Sequence, residues 1–182
     1  ILIIILSFII QSMNDEYRLA FRFSIDKVFD EPYRIFTSLF LHGNLLHLFM
    51  NMYALFIFGN LLERKANYKE FLKLFFLGAL VGSISQIFLF VIGLDVGSTS
   101  VGASDAISAI FGACIFLALN ENIEVLFIKM KVRTALILFL LYEALGILVI
   151  SGIYPGIAHY AHISGFIFGY LYARFFLQPY KK

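Results

Sequence analysis

Residues 71–92 read FLKLFFLGALVGSISQIFLFVI, an apolar run in which Lys73 is the one charged side chain. An α-helix needs about 20 predominantly apolar residues to cross the hydrocarbon core of a bilayer. The run has that length, and it is followed by the stretch 93–100, whose small residues are typical of a turn. We therefore predict that residues 71–92 form a membrane-spanning helix.

The composition extends this prediction to the whole chain. Of its 182 residues, 61% are hydrophobic and 14% are charged, whereas soluble domains have about half and about a quarter. A chain of this size has too little polar surface to cover so many apolar side chains in water. This excludes soluble globular, intrinsically disordered and disulfide-stapled proteins, and it leaves a helical membrane protein in contact with the lipid bilayer.

Charge gives no indication of a nucleic-acid partner. The net charge is only +2, and no run of lysine or arginine is long enough to form a basic patch. Cys114 is the single cysteine, so an internal disulfide is excluded and cysteine content says nothing about the redox compartment.

The same length criterion divides the chain into six predicted spans within a single domain, residues 1–182. The first span ends near Gln11, and we interpret it as a span whose beginning is missing or as a frayed helix. In the long polar and aromatic segment that follows, the alternating stretch 33–40 predicts an element lying in the membrane interface. We thus predict an all-α membrane protein, a compact bundle of six transmembrane helices with an interfacial first loop. The other spans are predicted at residues 41–62, 71–92, 101–119, 134–150 and 157–177.

Basic residues are predicted to lie on one side of this bundle. The loops after spans three and five carry no lysine or arginine. The loops after spans two and four and the C-terminal tail carry Arg64, Lys65, Lys69, Lys73, Lys129, Lys131, Arg133, Arg174, Lys181 and Lys182. Because loops rich in lysine and arginine stay in the cytoplasm, we predict a cytoplasmic C-terminus, with spans two, four and six entering from the outer face. We expect a multi-pass protein of the plasma membrane.

Polar side chains within the spans are few, and each is a candidate for function because a polar group is costly in hydrocarbon. They are His47 and Asn51 in span two, Ser104, Asp105 and Ser108 in span four, Glu143 in span five, and His159 and His162 in span six. Those in spans two, four and six all lie in the first half of their span. We therefore expect them at similar depth, just below the outer surface.

Small residues predict which spans pack together. They repeat at every fourth position in spans four and six, as Ser104, Ser108 and Gly112 and as Gly165, Gly169 and Ala173. Such stripes let two helix backbones approach closely in lipid. If the two stripes face each other, Ser104 and His162 lie at the outer end of the same contact. A hydroxyl and an imidazole held together there form a nucleophile and its general base.

Further polar residues have several interpretations. His47 and Asn51 are four residues apart and project from one face of span two, where they can stabilise a developing oxyanion. An interhelical hydrogen bond is an alternative for Asn51, and His159 is an alternative base. Ion binding or structural pairing is an alternative for Glu143. Because the chain has neither an HExxH motif nor a pair of intramembrane aspartates, we expect no metal and no cofactor.

Three motifs resemble those of the rhomboid intramembrane serine proteases. The triplet GAS at residues 102–104 resembles the GxS motif of that family. The sequence HISG at residues 162–165, with Gly169, resembles its last-span histidine and the glycine pair that follows. The sequence LHGNLLHLFMN at residues 41–51 is similar to the second-span HxxxN motif and the histidine before it. The resemblance covers nearly the whole chain, with the motifs in matching order.

The resemblance implies that Ser104 is the nucleophile and His162 the general base of a catalytic dyad, which needs no aspartate. It implies an oxyanion site made by the Ser104 backbone N–H together with His47 and Asn51. The supporting positions that it implies are His42, Gly102, Gly165 and Gly169. We expect His42 to support the first loop or His47 by hydrogen bonding. The implied activity is hydrolysis of peptide bonds in or near the transmembrane segments of protein substrates.

Two residues depart from the family pattern without removing a reacting group. Asp105 stands where glycine commonly follows the serine, but neighbours on a helix lie about 100° apart, so Asp105 need not face His162. Ser108 stands where an aromatic residue often packs on the histidine ring, so something else must orient His162. The alternative functions are an inactive rhomboid-like protein that binds membrane clients, and a small proton-relaying transporter. The transporter would have an inverted repeat, which we do not find.

Overall fold

The computed structural model describes residues 1–94, 98–150 and 159–177, and most of them are helical. The helices are α1 (Leu2–Met13), α2 (Asp15–Phe21), α3 (Arg34–Thr37), α4 (Leu45–Lys65), α5 (Tyr68–Val91), α6 (Ser104–Ala118), α7 (Val132–Leu145) and α8 (His159–Phe176). A π-helical turn, Gly146–Ile150, extends α7. The short strands are β1 (Phe23–Ser24), β2 (Thr99–Ser100), β3 (Asn122–Val125) and β4 (Ile128–Lys131). The predicted turn at residues 151–156 and the charged tail with Lys181 and Lys182 lie outside the described residues.

Each predicted span coincides with a helix, in the order α1, α4, α5, α6, α7 with its π-helical turn, and α8. Among the described residues, α4 and α5 are long and apolar enough to cross a membrane. Helices α1 and α6 are apolar but shorter. The prediction of a predominantly helical fold is therefore confirmed, and two of the predicted spans have helices of full membrane length.

The prediction that span two begins at Leu41 is wrong by one helical turn. Helix α4 begins at Leu45, because the Asn44 side chain accepts a hydrogen bond from the His47 backbone N–H at 2.8 Å. Asparagine at this position satisfies a backbone donor that has no partner within the helix. His42 consequently lies before the helix, and His47 lies in its first turn.

The all-α prediction is also incomplete, because the chain forms two small antiparallel sheets. Strands β3 and β4 make a hairpin in the predicted charged loop after α6. Leu126 and Phe127 form its turn with positive φ values of 49° and 68°, which favours the twist of a tight hairpin. The Leu126 N–H donates to the Tyr53 hydroxyl at 2.7 Å. This bond ties the apolar tip of the hairpin to the middle of α4.

Helix α6 is the central helix of the bundle. Every side chain from Ala106 to Ile115 is buried, against α4, α5 and α8. A helix that is apolar on all sides is stable only where neighbours or lipid surround it. Helix α6, which begins at Ser104, is therefore held by three other helices.

Glycines bring the backbones of α6 and α8 into direct contact. A Cβ atom at Gly165 would lie 2.6 Å from the Asp105 carbonyl oxygen, and one at Gly169 would overlap the Ala109 carbonyl oxygen. The close packing of spans four and six is thus present, and Gly112 of the predicted α6 stripe also meets the α8 backbone. The α6 residues that meet the α8 glycines are Asp105 and Ala109 rather than Ser104 and Ser108.

The segment between α1 and α4 is folded and anchored by a buried arginine. The Arg34 guanidinium is 4% exposed, and it donates to Glu31 at 2.6 Å and to the carbonyl oxygens of Leu19 and Arg22 at 2.7 and 3.1 Å. Hydrogen bonds from the Tyr33 hydroxyl and from Arg34 hold the pKa of the Glu31 carboxyl below its ordinary value. The predicted first-loop element is therefore a compact structure.

The first loop also contacts the chain that leads into α6. Strand β1 pairs with β2, with Phe23 opposite Ser100. The Gly102 N–H donates to the Ser38 carbonyl oxygen at 3.0 Å. These backbone hydrogen bonds fix the position at which α6 begins, and therefore the position of Ser104.

Candidate active site

Ser104 is the first residue of α6, and the turn before it requires glycine. Gly102 has a φ of +124°, a backbone conformation that favours glycine. A Cβ atom at this position would lie 2.9 Å from His47 Nε2 and 3.8 Å from Ser104 Oγ. The side chains of His47 and Ser104 therefore flank Gly102, and the absence of a side chain there lets them come close.

The structure brings Ser104 and His162 together. His162 lies in the first turn of α8, and its Nε2 is 2.8 Å from Ser104 Oγ. This is hydrogen-bond distance for a hydroxyl and an imidazole nitrogen. The His162 side chain is 13% exposed, so it is nearly buried. A hydroxyl that donates to a neutral imidazole is the arrangement of an activated serine nucleophile.

A carboxylate contacts the other side of the His162 ring. Glu143 of α7 is buried, at 1% exposed, and its Oε1 lies 3.0 Å from His162 Nδ1. Its Oε2 lies 2.6 Å from Nδ1 of His159, which is also buried. Both carboxylate oxygens thus have an imidazole partner, so this buried charge is hydrogen-bonded on both sides.

The contact between Glu143 and His162 was not predicted from the sequence. Two signals pointed towards it: a lone carboxylate in a predicted span, and Ser108 in place of the aromatic residue that often packs on the histidine. The contact depends on how α7 is rotated against α8, and the polar pattern of span five does not give that rotation. His159, considered as an alternative base, instead contacts Oε2 of Glu143, the oxygen that does not contact His162.

Asp105 lies close to His162, although it is about 100° from Ser104 around the helix axis. Its Oδ1 is 3.7 Å from His162 Nε2, which is beyond hydrogen-bond distance but within reach of a charge interaction. On its other side the carboxylate packs at Gly82 of α5, where a Cβ atom would lie 2.5 Å from Oδ2. Asp105 therefore faces the site and does not point away from it.

The two residues predicted to bind an oxyanion differ in how they are held. His47 Nδ1 accepts a hydrogen bond from the Gly43 N–H at 3.4 Å, so in the neutral ring the proton lies on Nε2, the nitrogen beside Gly102. The Asn51 amide nitrogen donates to the His47 carbonyl oxygen at 3.0 Å. This hydrogen bond lies within α4, so it is not the interhelical bond that was the alternative for Asn51.

His42 supports His47 by ring packing and not by the expected hydrogen bond. It is fully buried, and its ring meets the His47 ring edge-on with 5.0 Å between centroids. Among the described residues neither ring nitrogen of His42 has a hydrogen-bond partner. The His42 backbone is anchored on both sides by the Gln11 side chain of α1, at 3.0 Å and 2.5 Å.

Within the described part of the chain, Glu143, His159 and His162 also form a group that could hold a metal ion. Two ligands on a tetrahedral zinc ion with bond lengths of about 2.0–2.1 Å lie about 3.3 Å apart. The nitrogen–oxygen distances here are 2.6 and 3.0 Å. These shorter distances are those of hydrogen bonds, so the geometry favours a hydrogen-bonded cluster over a metal site.

Comparison with known proteins identifies the relatives of this chain. The Rhomboid domain family matches residues 30–179. The chain is 32% identical to RHOMBOID-like protein 6, mitochondrial, of Arabidopsis thaliana over 142 residues, which are 78% of this chain and 42% of that protein. It is 33% identical over 145 residues to RHOMBOID-like protein 4 of the same plant, covering 78% and 33% of the two chains.

Some relatives carry the word inactive in their names. Inactive rhomboid protein 1 of Danio rerio is 29% identical over 151 residues, which are 83% of this chain and 16% of that protein. The chain spans less than half the length of each of these relatives. Relatives that are named inactive and relatives that are not are thus both similar to this chain.

Proposed function

Since the chain belongs to the rhomboid family, we propose that it is an intramembrane serine protease that cleaves peptide bonds in or near transmembrane segments of other membrane proteins. The observation that carries the proposal is the distance of 2.8 Å between Ser104 Oγ and His162 Nε2. This contact joins two helices whose backbones are held together by glycine, so the pair is preorganised.

The reaction proceeds in two halves. Ser104 Oγ attacks the carbonyl carbon of the scissile peptide while its proton passes to His162 Nε2. The imidazolium then gives this proton to the leaving amine nitrogen as the C–N bond breaks, which leaves an ester on Ser104. Water adds to the ester carbon, loses a proton to His162 Nε2, and displaces the Ser104 oxygen, which recovers that proton.

The negative charge on the tetrahedral intermediate is stabilised by the Ser104 backbone N–H, His47 and Asn51. The bond from the Gly43 N–H to His47 Nδ1 supports this role, because it leaves the proton of a neutral His47 on Nε2. Asn51 uses one N–H on the His47 carbonyl oxygen and keeps the second for the intermediate. Donors fixed in advance are more effective than water because they need no reorganisation.

We further propose that six helices of the chain span the membrane, with the C-terminus in the cytoplasm and the site open to the outer side of the plasma membrane. The basic residues after α4 and in the hairpin after α6 support this orientation. A substrate helix must unwind locally before cleavage, because an intact helix hides its carbonyl groups in hydrogen bonds. A reporter fused to the C-terminus tests the orientation, and an externally accessible reporter would contradict it.

The second candidate is an inactive protein that binds membrane clients, and several relatives of the chain are named inactive. This chain retains both a serine and a histidine, in hydrogen-bond contact. A client-binding protein has no need of that contact, so reaction at Ser104 separates the two functions.

The test is covalent labelling of the detergent-solubilised protein with a fluorophosphonate probe. We expect the parent chain to be labelled and the Ser104→Ala variant to be unlabelled, since the probe forms a bond to an activated serine oxygen. Ser108→Ala is the matched control, because Ser108 is buried one turn further along the same helix, and this variant should label at the parent rate. An unlabelled but folded parent chain would favour the client-binding function.

The oxyanion site predicts a ranked loss of rate in α4 variants. His47→Phe should lower the maximal labelling rate about 10²-fold, as expected for the loss of one oxyanion donor. Asn51→Leu should have a smaller effect, because one of its N–H groups is already bound within α4. Asn60→Leu is the matched control, since Asn60 makes the same type of bond, to the Phe56 carbonyl oxygen at 2.6 Å, on an exposed part of α4. Equal maximal labelling rates for His47→Phe and Asn60→Leu would show that His47 does not belong to the oxyanion site.

A further inference from the structure

The buried carboxylate of Glu143 has a position that packing alone does not explain. It lies on α7, outside the dyad that the family resemblance implies, and it is 1% exposed. Its two oxygens contact the Nδ1 atoms of two different imidazoles, His162 at 3.0 Å and His159 at 2.6 Å. Burial of a carboxylate is costly unless both oxygens are hydrogen-bonded, and here both are.

The contact determines which nitrogen of His162 carries the proton. A carboxylate only accepts hydrogen bonds, so His162 Nδ1 must be the protonated nitrogen. Nε2 then presents its lone pair to Ser104 Oγ, which is the state that a general base needs. The opposite tautomer has a proton on Nε2 and is unable to take one from the serine.

We propose that Glu143 is a positioning residue that completes a Ser104–His162–Glu143 triad in this chain. The proposal rests on the proposed protease function and deepens it. Glu143 takes the place of the aromatic residue that is absent at Ser108, because it fixes both the orientation and the tautomer of the His162 ring. It also stabilises the imidazolium that forms when Ser104 gives up its proton.

Other charged or titratable groups near His162 do not share this position. Asp105 of α6 lies on the Nε2 side at 3.7 Å, where the serine sits, so it has no contact with Nδ1 that would orient the ring. His47 of α4 lies beyond Gly102. His159 of α8 meets the His162 ring edge-on, with 6.1 Å between ring centroids, and its Nδ1 contacts Glu143 rather than His162 Nδ1. Among the described residues, Glu143 is therefore the group placed to hold the Nδ1 proton.

His159 and the π-helical turn keep Glu143 in place. The His159 ring packs edge-on against Tyr142, with 5.6 Å between ring centroids. A Cβ atom at Gly146 would overlap the His159 ring, so glycine at that position lets the π-helical turn close over the histidine. Such turns are often found at functional sites. His159 thus fixes the Glu143 oxygen that does not contact His162.

The decisive variant is Glu143→Gln, which keeps the size of the side chain and its capacity for hydrogen bonds. A glutamine amide can donate to His162 Nδ1 and so favours the tautomer that is unable to act as base. We expect the maximal fluorophosphonate labelling rate to fall about 10²–10⁴-fold. The probe concentration at half-maximal rate and the thermal midpoint in detergent should stay close to the parent values.

Glu70→Gln is the matched control, because Glu70 is a partly buried glutamate that also joins two helices, through its contact with the Tyr172 hydroxyl at 2.8 Å. This variant should label at the parent rate. If Glu143→Gln also labels at the parent rate while labelling still requires Ser104, the triad is wrong and the proposed function stands. If the parent chain is not labelled at all, the proposed function itself fails.

Two further measurements separate positioning from a structural or metal-binding role. Nitrogen-15 spectra of histidine-labelled protein should show Nδ1 of His162 protonated in the parent chain and a change of tautomer in Glu143→Gln. His159→Phe keeps a ring at that position but removes the hydrogen bond, and it should lower the labelling rate about tenfold. Loss of labelling on addition of a chelator to the parent chain would instead indicate a bound ion and would overturn the triad.

Discussion

Replacement of His162 by alanine is expected to lower the rate of labelling and of substrate cleavage by about 10³-fold or more, because His162 Nε2 is the base in hydrogen-bond contact with Ser104 Oγ. The His162 ring contacts Ser104 on one side and Glu143 on the other, so its removal disconnects the whole arrangement. The Ser104→Ala variant is expected to lose the same activity. The double variant should be no slower than either single variant, since the residues act as one unit.

Cleavage of a transmembrane reporter protein reconstituted with the variant in lipid vesicles measures this effect. Ser164→Ala is the matched control, because Ser164 lies two residues further along α8 and joins α8 to α5 through a hydrogen bond to Ser85 Oγ at 2.9 Å. Its loss should leave the cleavage rate within about twofold of the parent. Additive losses in the Ser104 and His162 variants would mean that the two residues do not share one step.

The Gly169→Val substitution is expected to lower the free energy of unfolding of the bundle by at least about 3 kcal/mol, at the upper end of overpacking effects. The reason is that a Cβ atom there would overlap the Ala109 carbonyl oxygen of α6. Backbone atoms cannot move aside as a flexible side chain can, so α6 and α8 must separate. The separation would also move Ser104 away from His162.

The measurement is the thermal midpoint of the purified protein in detergent, together with the fraction that resists proteolysis. Ile167→Val is the control on the same helix, since Ile167 is 50% exposed and its change should cost no more than about 0.5 kcal/mol. A Gly169→Val variant with the parent midpoint would show that the close contact of α6 and α8 does not hold the bundle together.

Several features of the fold could be predicted because they depend on local composition. Apolar length predicted where each long helix lies, since burial of an apolar helix in lipid or protein depends mainly on its own residues. The start of α4 was predicted one turn too early. Asn44 caps the helix through its side chain, and this signal in the sequence LHGN was not used. The hairpin of β3 and β4 was missed because its turn, Leu126 and Phe127, lacks the glycine or asparagine that usually marks such turns.

Part of the candidate site could likewise be predicted from the sequence, and part of it could not. The spacing of small residues predicted that spans four and six pack together, and this brought Ser104 and His162 to one place. Gly112 of the predicted α6 stripe meets the α8 backbone, but Gly165 and Gly169 fit against Asp105 and Ala109 rather than Ser104 and Ser108. A stripe of small residues limits how closely two helices approach, but it does not set which residues of the partner face it.

The amino-acid order therefore accounts for the membrane character, the helical content and the nucleophile and base of the proposed reaction, since each follows from the residues of one segment or from a short motif. The role of Glu143, the ring packing of His42 on His47 and the approach of Asp105 to His162 emerged only when the helices were assembled. These contacts depend on the rotation of one helix about its axis relative to another, and that rotation is the result of packing over the whole bundle.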